Sequence, residues 1–219
     1  MSRGDLHANR PERRSRRSIR LKGYDYAGAG AYFVTICAQN RECLFGKIVD
    51  GKMVLNDAGE IVADEWIKTG DIRDKIILDE WVVMPNHFHG ILVIDDRRGT
   101  ARRAPTVEQF GKPVSGSIPT IIRAFKSAVT KRINEMRKTP GVKIWQRNYY
   151  EHVIRNDNEL NRIREYITNN PAQWETDQEN PNATDRRGEP CVRPFDVRPT
   201  PVRRRACRQA GTDPWERRR

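Results

Sequence analysis

The sequence predicts an α+β fold, a ferredoxin-like (RRM-like) antiparallel sheet covered by helices, with disordered basic N- and C-terminal tails. Two short apolar runs rich in β-branched and aromatic residues, 76–84 and 88–94, are separated by Pro85-Asn86, a turn signal that favours antiparallel pairing. Segments with a 3.6-residue apolar period stand before and after them, around 57–70 and 119–138. Both ends of the chain lack apolar periodicity. Helices and antiparallel strands therefore interleave, and a split βαβ arrangement is the simplest fit.

Residues 31–38 follow the Gly28-Ala29-Gly30 break and carry Tyr32, Phe33, Val34 and Ile36, as a first buried strand requires. Two short runs, 44–49 and 52–55, flank Asp50-Gly51, a dipeptide suited to a tight hairpin turn. Asn56 or Asp57 caps a helix with Ile61, Val62, Trp66 and Ile67 inward, ending near Thr69-Gly70. Residues 97–117 read as a long surface loop. Pro119 suits the first turn of a helix to about Lys138, with Ile121, Ile122, Phe125, Val129 and Ile133 inward. Residues 142–155 read as extended, and Asp157 caps a last helix through about Trp174, disturbed near its end by Pro171.

The net charge of +12 is unevenly placed. Residues 1–22 hold eight basic and two acidic groups and read as a disordered basic arm; 175–219 hold 11 basic, 8 acidic and six of the 13 prolines and read as a tail. One domain, 23–174, remains between them. Such a balance points to polyanionic partners, nucleic acid first. Cys37, Cys43, Cys191 and Cys207 have no C-x-x-C spacing, which argues against a zinc knuckle or disulfide scaffold. No apolar run reaches the roughly 18 residues that span a bilayer, and no signal-peptide core is present, so no membrane partner and a cytoplasmic location are expected.

Two of the four histidines, His87 and His89, flank Phe88 inside the second apolar run. On a strand they share one face while Phe88 takes the other, so two imidazoles converge as metal ligands do. The bland alternative is a pair of polar residues on a solvated face. Tyr166 and Asn170 stand four apart on the last helix and share a face, where a phenol can act as nucleophile and an amide oxygen as ligand. Equally, Tyr166 can be an edge tyrosine beside Leu160, Ile163 and Ile167. Aromatic and basic residues interleave from Trp145 to Arg155, a pattern that stacks bases and contacts phosphate, or packs as an ordinary strand. His152 reads as a structural hydrogen-bond donor in preference to a third metal ligand.

Taken in order, Met84-Pro85-Asn86-His87-Phe88-His89-Gly90, Phe125-Lys126-Ser127, Ile144-Trp145-Gln146, Tyr150-Glu151-His152-Val153-Ile154-Arg155, Glu165-Tyr166-Ile167 and Asn170-Pro171 resemble the single-tyrosine HUH transposases. The nearest subgroup is the bacterial REP-associated tyrosine transposases. The resemblance spans about Lys22 to Trp174. It implies that His87, His89 and Asn170 hold Mg²⁺ or Mn²⁺ and that Tyr166 is the nucleophile. Relatives from small insertion sequences place Gln where this chain has Asn170.

The activity so implied is cleavage and rejoining of single-stranded or hairpin DNA through a 5′-phosphotyrosine, with Arg123, Lys126, Arg147 and Arg155 as phosphate contacts. The chemistry needs no ATP, in keeping with the lack of a Walker-type loop. Insertion-sequence relatives work as dimers and REP-associated ones as monomers, which leaves monomer and homodimer both open. Two other classes fit the composition: a non-catalytic nucleic-acid-binding protein acting as repressor or RNA chaperone, and a metal-dependent nuclease that uses water.

Overall fold

The computed structural model describes residues 24–95, 114–177 and 179–181. The expected arm 1–22, most of the 97–117 connection, and the tail beyond 181 with Cys191 and Cys207 lie outside the described residues. Among the described residues six strands and three α-helices follow in order: β1 (Gly30–Cys37), β2 (Gly46–Val49), β3 (Lys52–Leu55), α1 (Asp57–Asp71), β4 (Ile76–Val83), β5 (His87–Ile94), α2 (Ile118–Arg137), β6 (Tyr150–Ile154) and α3 (Asp157–Asn169). Four strands form one sheet in the order β4-β5-β1-β6, with every neighbouring pair antiparallel. This is the expected ferredoxin-like order. The β2-β3 hairpin stands apart as a two-stranded sheet, turning at Asp50 and Gly51 with positive φ at both, as the dipeptide predicts.

Strand alternation divides the side chains between two faces. Tyr32, Val34 and Ile36 of β1 and Phe88, Leu92 and Ile94 of β5 pack with Val62 and Trp66 of α1 and with Ile121, Phe125 and Val129 of α2 in the main core. Phe33, Ile91 and Ile154 look to the other face, where α3 covers them with Leu160, Ile163 and Ile167. Gly90 makes room for this packing. A Cβ there would lie 2.7 Å from Cζ2 of Trp66, whose ring sits 4.5 Å from that of Phe88.

The helix boundaries refine the expectations. Asn56, rather than Asp57, caps α1, its Oδ1 accepting from the amides of Ala58 and Gly59 at 3.1 and 3.0 Å. Ile67 faces solvent instead of the core. Thr69 takes the inward position, because its hydroxyl donates to the Glu65 carbonyl at 2.8 Å and so can be buried without an orphan. Asn156, not Asp157, caps α3 by accepting from the Glu159 amide. The helix stops at Asn169, short of Trp174, since Pro171 has no N–H to continue the ladder, and a 3-10 turn, Pro171–Thr176, replaces the last turn. The folded chain then runs past Trp174 to Asp177 and Glu179, against the end of the sheet. No helix among the described residues is long and apolar enough to cross a membrane.

Candidate functional site

The site lies where β5 begins, on the face covered by α3. His87 and His89 are buried, 0% and 3% exposed, with ring centroids 4.5 Å apart. Phe88 points into the opposite core, so the strand alternation read from the sequence holds. The Pro85-Asn86 turn is pinned by two backbone bonds, Phe45 N to Pro85 O at 3.0 Å and Ala38 N to Asn86 O at 2.8 Å.

Hydrogen bonds set the His87 tautomer. The Asn86 amide nitrogen donates to the carbonyls of Arg41 at 3.1 Å and Glu179 at 2.6 Å, which identifies it as the NH₂ group. Its Oδ1 therefore faces His87 Nδ1 at 2.9 Å and can only accept. His87 carries its proton on Nδ1. Nε2 is left as a buried lone pair with no partner. His89 Nδ1 lies 2.8 Å from the Thr35 hydroxyl, which can hold it in the same tautomer.

Tyr166 comes to this pair from α3. Its hydroxyl is 3.2 Å from His89 Nε2, although the residue as a whole is 44% exposed. Phe33 fixes the approach, stacking on His89 at 5.4 Å and meeting Tyr166 edge-on at 6.1 Å. Asn170, 2% exposed, sits one turn further on and leaves its Oδ1 buried without a hydrogen-bond partner. Its amide is near enough to raise the proton affinity of His87 and to lower that of Tyr166. The four expected residues thus converge.

The structure adds a fifth. The ligand atoms of His87, His89 and Asp177 lie within 4.8 Å of one another. Asp177 fell in the polar stretch read as tail, and no spacing in the sequence singles it out. Glu179 follows. Its carboxylate pairs with Arg41 at 3.2 Å and accepts from the Cys37 thiol at 3.4 Å.

Burial pushes both imidazoles toward neutrality, taking His87 down to about 4 in spite of the opposing pull of Asp177, and His89 well below its usual value. It also raises the Tyr166 phenol, helped by the Asp177 and Glu179 carboxylates, and raises Cys37 to about 12. Two neutral imidazoles, a carboxylate and two buried lone pairs at His87 and Asn170 form a set of metal-ligand donors, with the Arg41 guanidinium near enough to lower the proton affinity of His87. Nitrogen and hard oxygen ligands in this mixture suit Mn²⁺ or Mg²⁺, so the residues present fit the expected cation.

Of the expected phosphate contacts, Arg123 on α2 and Arg147 and Arg155 on either side of β6 are exposed. Lys126 is differently employed. Its ammonium donates to the carbonyls of Gln146 at 2.6 Å and Arg147 at 3.2 Å, and burial brings it down to about 8. His152 bonds to Glu159 at 2.8 Å and is not one of the clustered donors.

No family model matches the chain. A protein of Haemophilus influenzae, described as an uncharacterized protein, is 45% identical over 170 residues, an alignment that covers 74% of this chain and 92% of that one. The chain belongs to the family of that protein. Among solved structures, it is similar to a REP-associated tyrosine transposase bound to a REP hairpin, with 21% identity, coverage of 88% of this chain and 98% of that chain, and a TM-score of 0.46.

Proposed function

We propose that this protein is a metal-dependent tyrosine transposase that cleaves and rejoins single-stranded or hairpin DNA through Tyr166. The observation that carries the reading is the Tyr166 hydroxyl, 3.2 Å from His89, which with buried His87 and half-buried Asp177 forms a cluster of metal-ligand side chains. His87, His89 and Asp177, with Asn170 beside them, would hold Mg²⁺ or Mn²⁺. When bound, the cation supplies positive charge to the scissile phosphate as negative charge builds on it.

The chain's own groups do the rest. Asn86 and Thr35 hold the imidazoles with their Nε2 lone pairs toward the cluster. Phe33 and the apolar seam under α3 set the angle of the phenol. Attack by the Tyr166 oxygen forms a Tyr–O–P bond and breaks the bond from phosphorus to the 3′ oxygen. The phenol gives up its proton and the departing 3′ oxygen gains one, so the products are a 5′-phosphotyrosine and a free 3′-hydroxyl. A second 3′-hydroxyl attacking the same phosphorus reverses the step and joins new ends. Bond energy is conserved throughout, so no nucleotide cofactor is consumed. The strand must be unpaired at the cleavage point for its phosphorus to reach a recessed donor cluster. One chain brings all these side chains together, which favours a site complete within a monomer.

The test is incubation with Mn²⁺ and an end-labelled pool of hairpins with randomised stems and flanks, followed by denaturing electrophoresis. A covalent protein–DNA band that disappears in Tyr166→Phe is expected. Released fragments without an adduct would instead indicate hydrolysis by water. Bound but intact DNA would indicate a non-catalytic binding protein.

A further inference from the structure

A second feature lies outside the donor cluster. Between α2 and residues 141–147 runs an open groove of about 490 Å³ whose walls include Lys126, Lys131, Lys143 and Arg147 and, among the described residues, no acidic one. A smaller one of about 390 Å³ shares Lys131, Asn134 and Gly141 with it and extends it along α2 to Lys138, with Glu135 as the one acid among its described residues. Glu135 offsets little, meeting Lys131 at 3.9 Å with both side chains exposed. Lys143 and Arg147 are exposed. The wall is held in shape by the Lys126 ammonium, by Asn134 donating to the Val142 carbonyl at 2.9 Å, and by the bridge between Ala38 and Trp145.

Its position relates it to the site. The backbone N–H of Gln146 donates to the Cys37 carbonyl at 3.0 Å, and Cys37 is the strand partner of His87. The groove therefore opens from the same end of the sheet as the donor cluster. Trp145, the one aromatic wall residue among the described residues, is 6% exposed and offers no face for stacking. An open cationic groove without an exposed ring suits the sugar-phosphate backbone and is indifferent to the bases.

We propose that this groove is a track for the phosphodiester backbone of the DNA strand flanking the cleavage point, with Lys131, Lys143 and Arg147 as its phosphate contacts. The proposal rests on the reading of the protein as a DNA-processing enzyme but not on the tyrosine chemistry. Each backbone phosphate neutralised there releases counterions, which makes the contribution measurable through salt.

The experiment uses the full chain carrying Tyr166→Phe, in EDTA, so that neither cleavage nor metal binding enters. Fluorescence anisotropy follows binding of a labelled hairpin with single-stranded flanks across a series of KCl concentrations. Replacing Lys131, Lys143 and Arg147 together by Gln is expected to weaken binding at least tenfold and to reduce the slope of log K against log salt by about 2 to 3. A control replaces three exposed lysines elsewhere, Lys47, Lys52 and Lys75, by Gln, which removes the same net charge and is expected to change the slope by less than about 1. An unchanged slope in the groove variant, or an equal loss in the control, overturns the proposal. Thermal melting confirms that both variants are folded. Failure of the covalent adduct in the wild-type protein, with the groove-dependent salt slope intact, would overturn the tyrosine chemistry alone.

Discussion

Arg164 on α3 grips both carboxylate oxygens of Asp79 on β4, Nε to Oδ1 at 2.8 Å and an Nη to Oδ2 at 2.5 Å. The pair lies two residues from Tyr166 and is the polar edge of a seam otherwise made of Ile163, Ile167, Phe33 and Ile91. Its Arg164 side chain is 40% exposed, so screening limits its contribution to about 0.5–1 kcal/mol. Asp79→Asn should therefore cost little in urea unfolding but loosen the helix that aims the phenol. Adduct formation is expected to slow several-fold while hairpin affinity holds. Equal loss of both would show that the pair serves folding rather than aim.

Asn86 governs the site from behind His87. Asn86→Ala removes the acceptor that holds the Nδ1 proton and abandons two carbonyl oxygens, those of Arg41 and Glu179. Orienting partners of this kind are typically worth 10- to 100-fold in metal affinity, and the lost bonds about 1–3 kcal/mol in stability. Titration calorimetry with Mn²⁺ should show the first and chemical denaturation the second. Unaltered Mn²⁺ affinity in a folded variant would mean that packing alone holds the ring.

Asp177 offers a direct test of the donor set. Asp177→Asn keeps the shape and removes the charge, and Mn²⁺ binding is expected to weaken tenfold or more, because affinity for a hard cation follows the charge of its ligands. Retained affinity would leave Asn170 as the sole oxygen donor beside the imidazoles.

Acid should destabilise the metal-free protein. Burial lowers the folded-state affinity of His87 and His89 for protons, so between pH 6.5 and about 4 the unfolded chain binds more protons than the folded one. Stability then falls as pH drops through that window, the His87 share of the loss being complete near pH 4. Asp79 acts in the same direction at lower pH, since Arg164 holds its carboxyl below the usual range and that stabilisation is lost as the group protonates. Urea midpoints in EDTA at pH 7.5 and 5 should differ clearly for the native chain and less for His87→Ala. A flat profile would contradict two neutral, buried imidazoles.

Gly90 belongs to the motif around the histidines but works on the other face. Gly90→Ala places a methyl group 2.7 Å from Trp66 and about 3 Å from the Phe88 ring, and a loss of about 1–3 kcal/mol is expected from overpacking. A neutral thermal melt would show that Trp66 has room to retreat.

Much of this was legible because periodicity is local. Strand alternation alone placed His87 and His89 opposite Phe88, and the i, i+4 spacing placed Tyr166 with Asn170. The succession of strands and helices along the chain followed from interleaved periods of two and 3.6, and the ferredoxin-like arrangement from that succession. Asp177 was hidden for a physical reason: it follows a proline-led 3-10 turn in a polar stretch, where no apolar repeat announces burial, and it is held in place by Glu179 and the sheet end, which are distant in sequence or outside any motif. Lys126 misled in the opposite sense. A lysine on a basic helix reads as a solvent-facing charge, yet its stem carries the ammonium back to the carbonyls of Gln146 and Arg147.

Tyr166 is rooted on the outermost layer of the molecule, between Arg162, Glu165 and Asn169, which are all exposed. Its oxygen reaches inward to His89, so a polynucleotide esterified there would start in the recess and come out to solvent along the exposed flank of the same side chain. The load carried by the helix is then independent of how long the attached strand is, and a few nucleotides or many thousands would burden the fold alike.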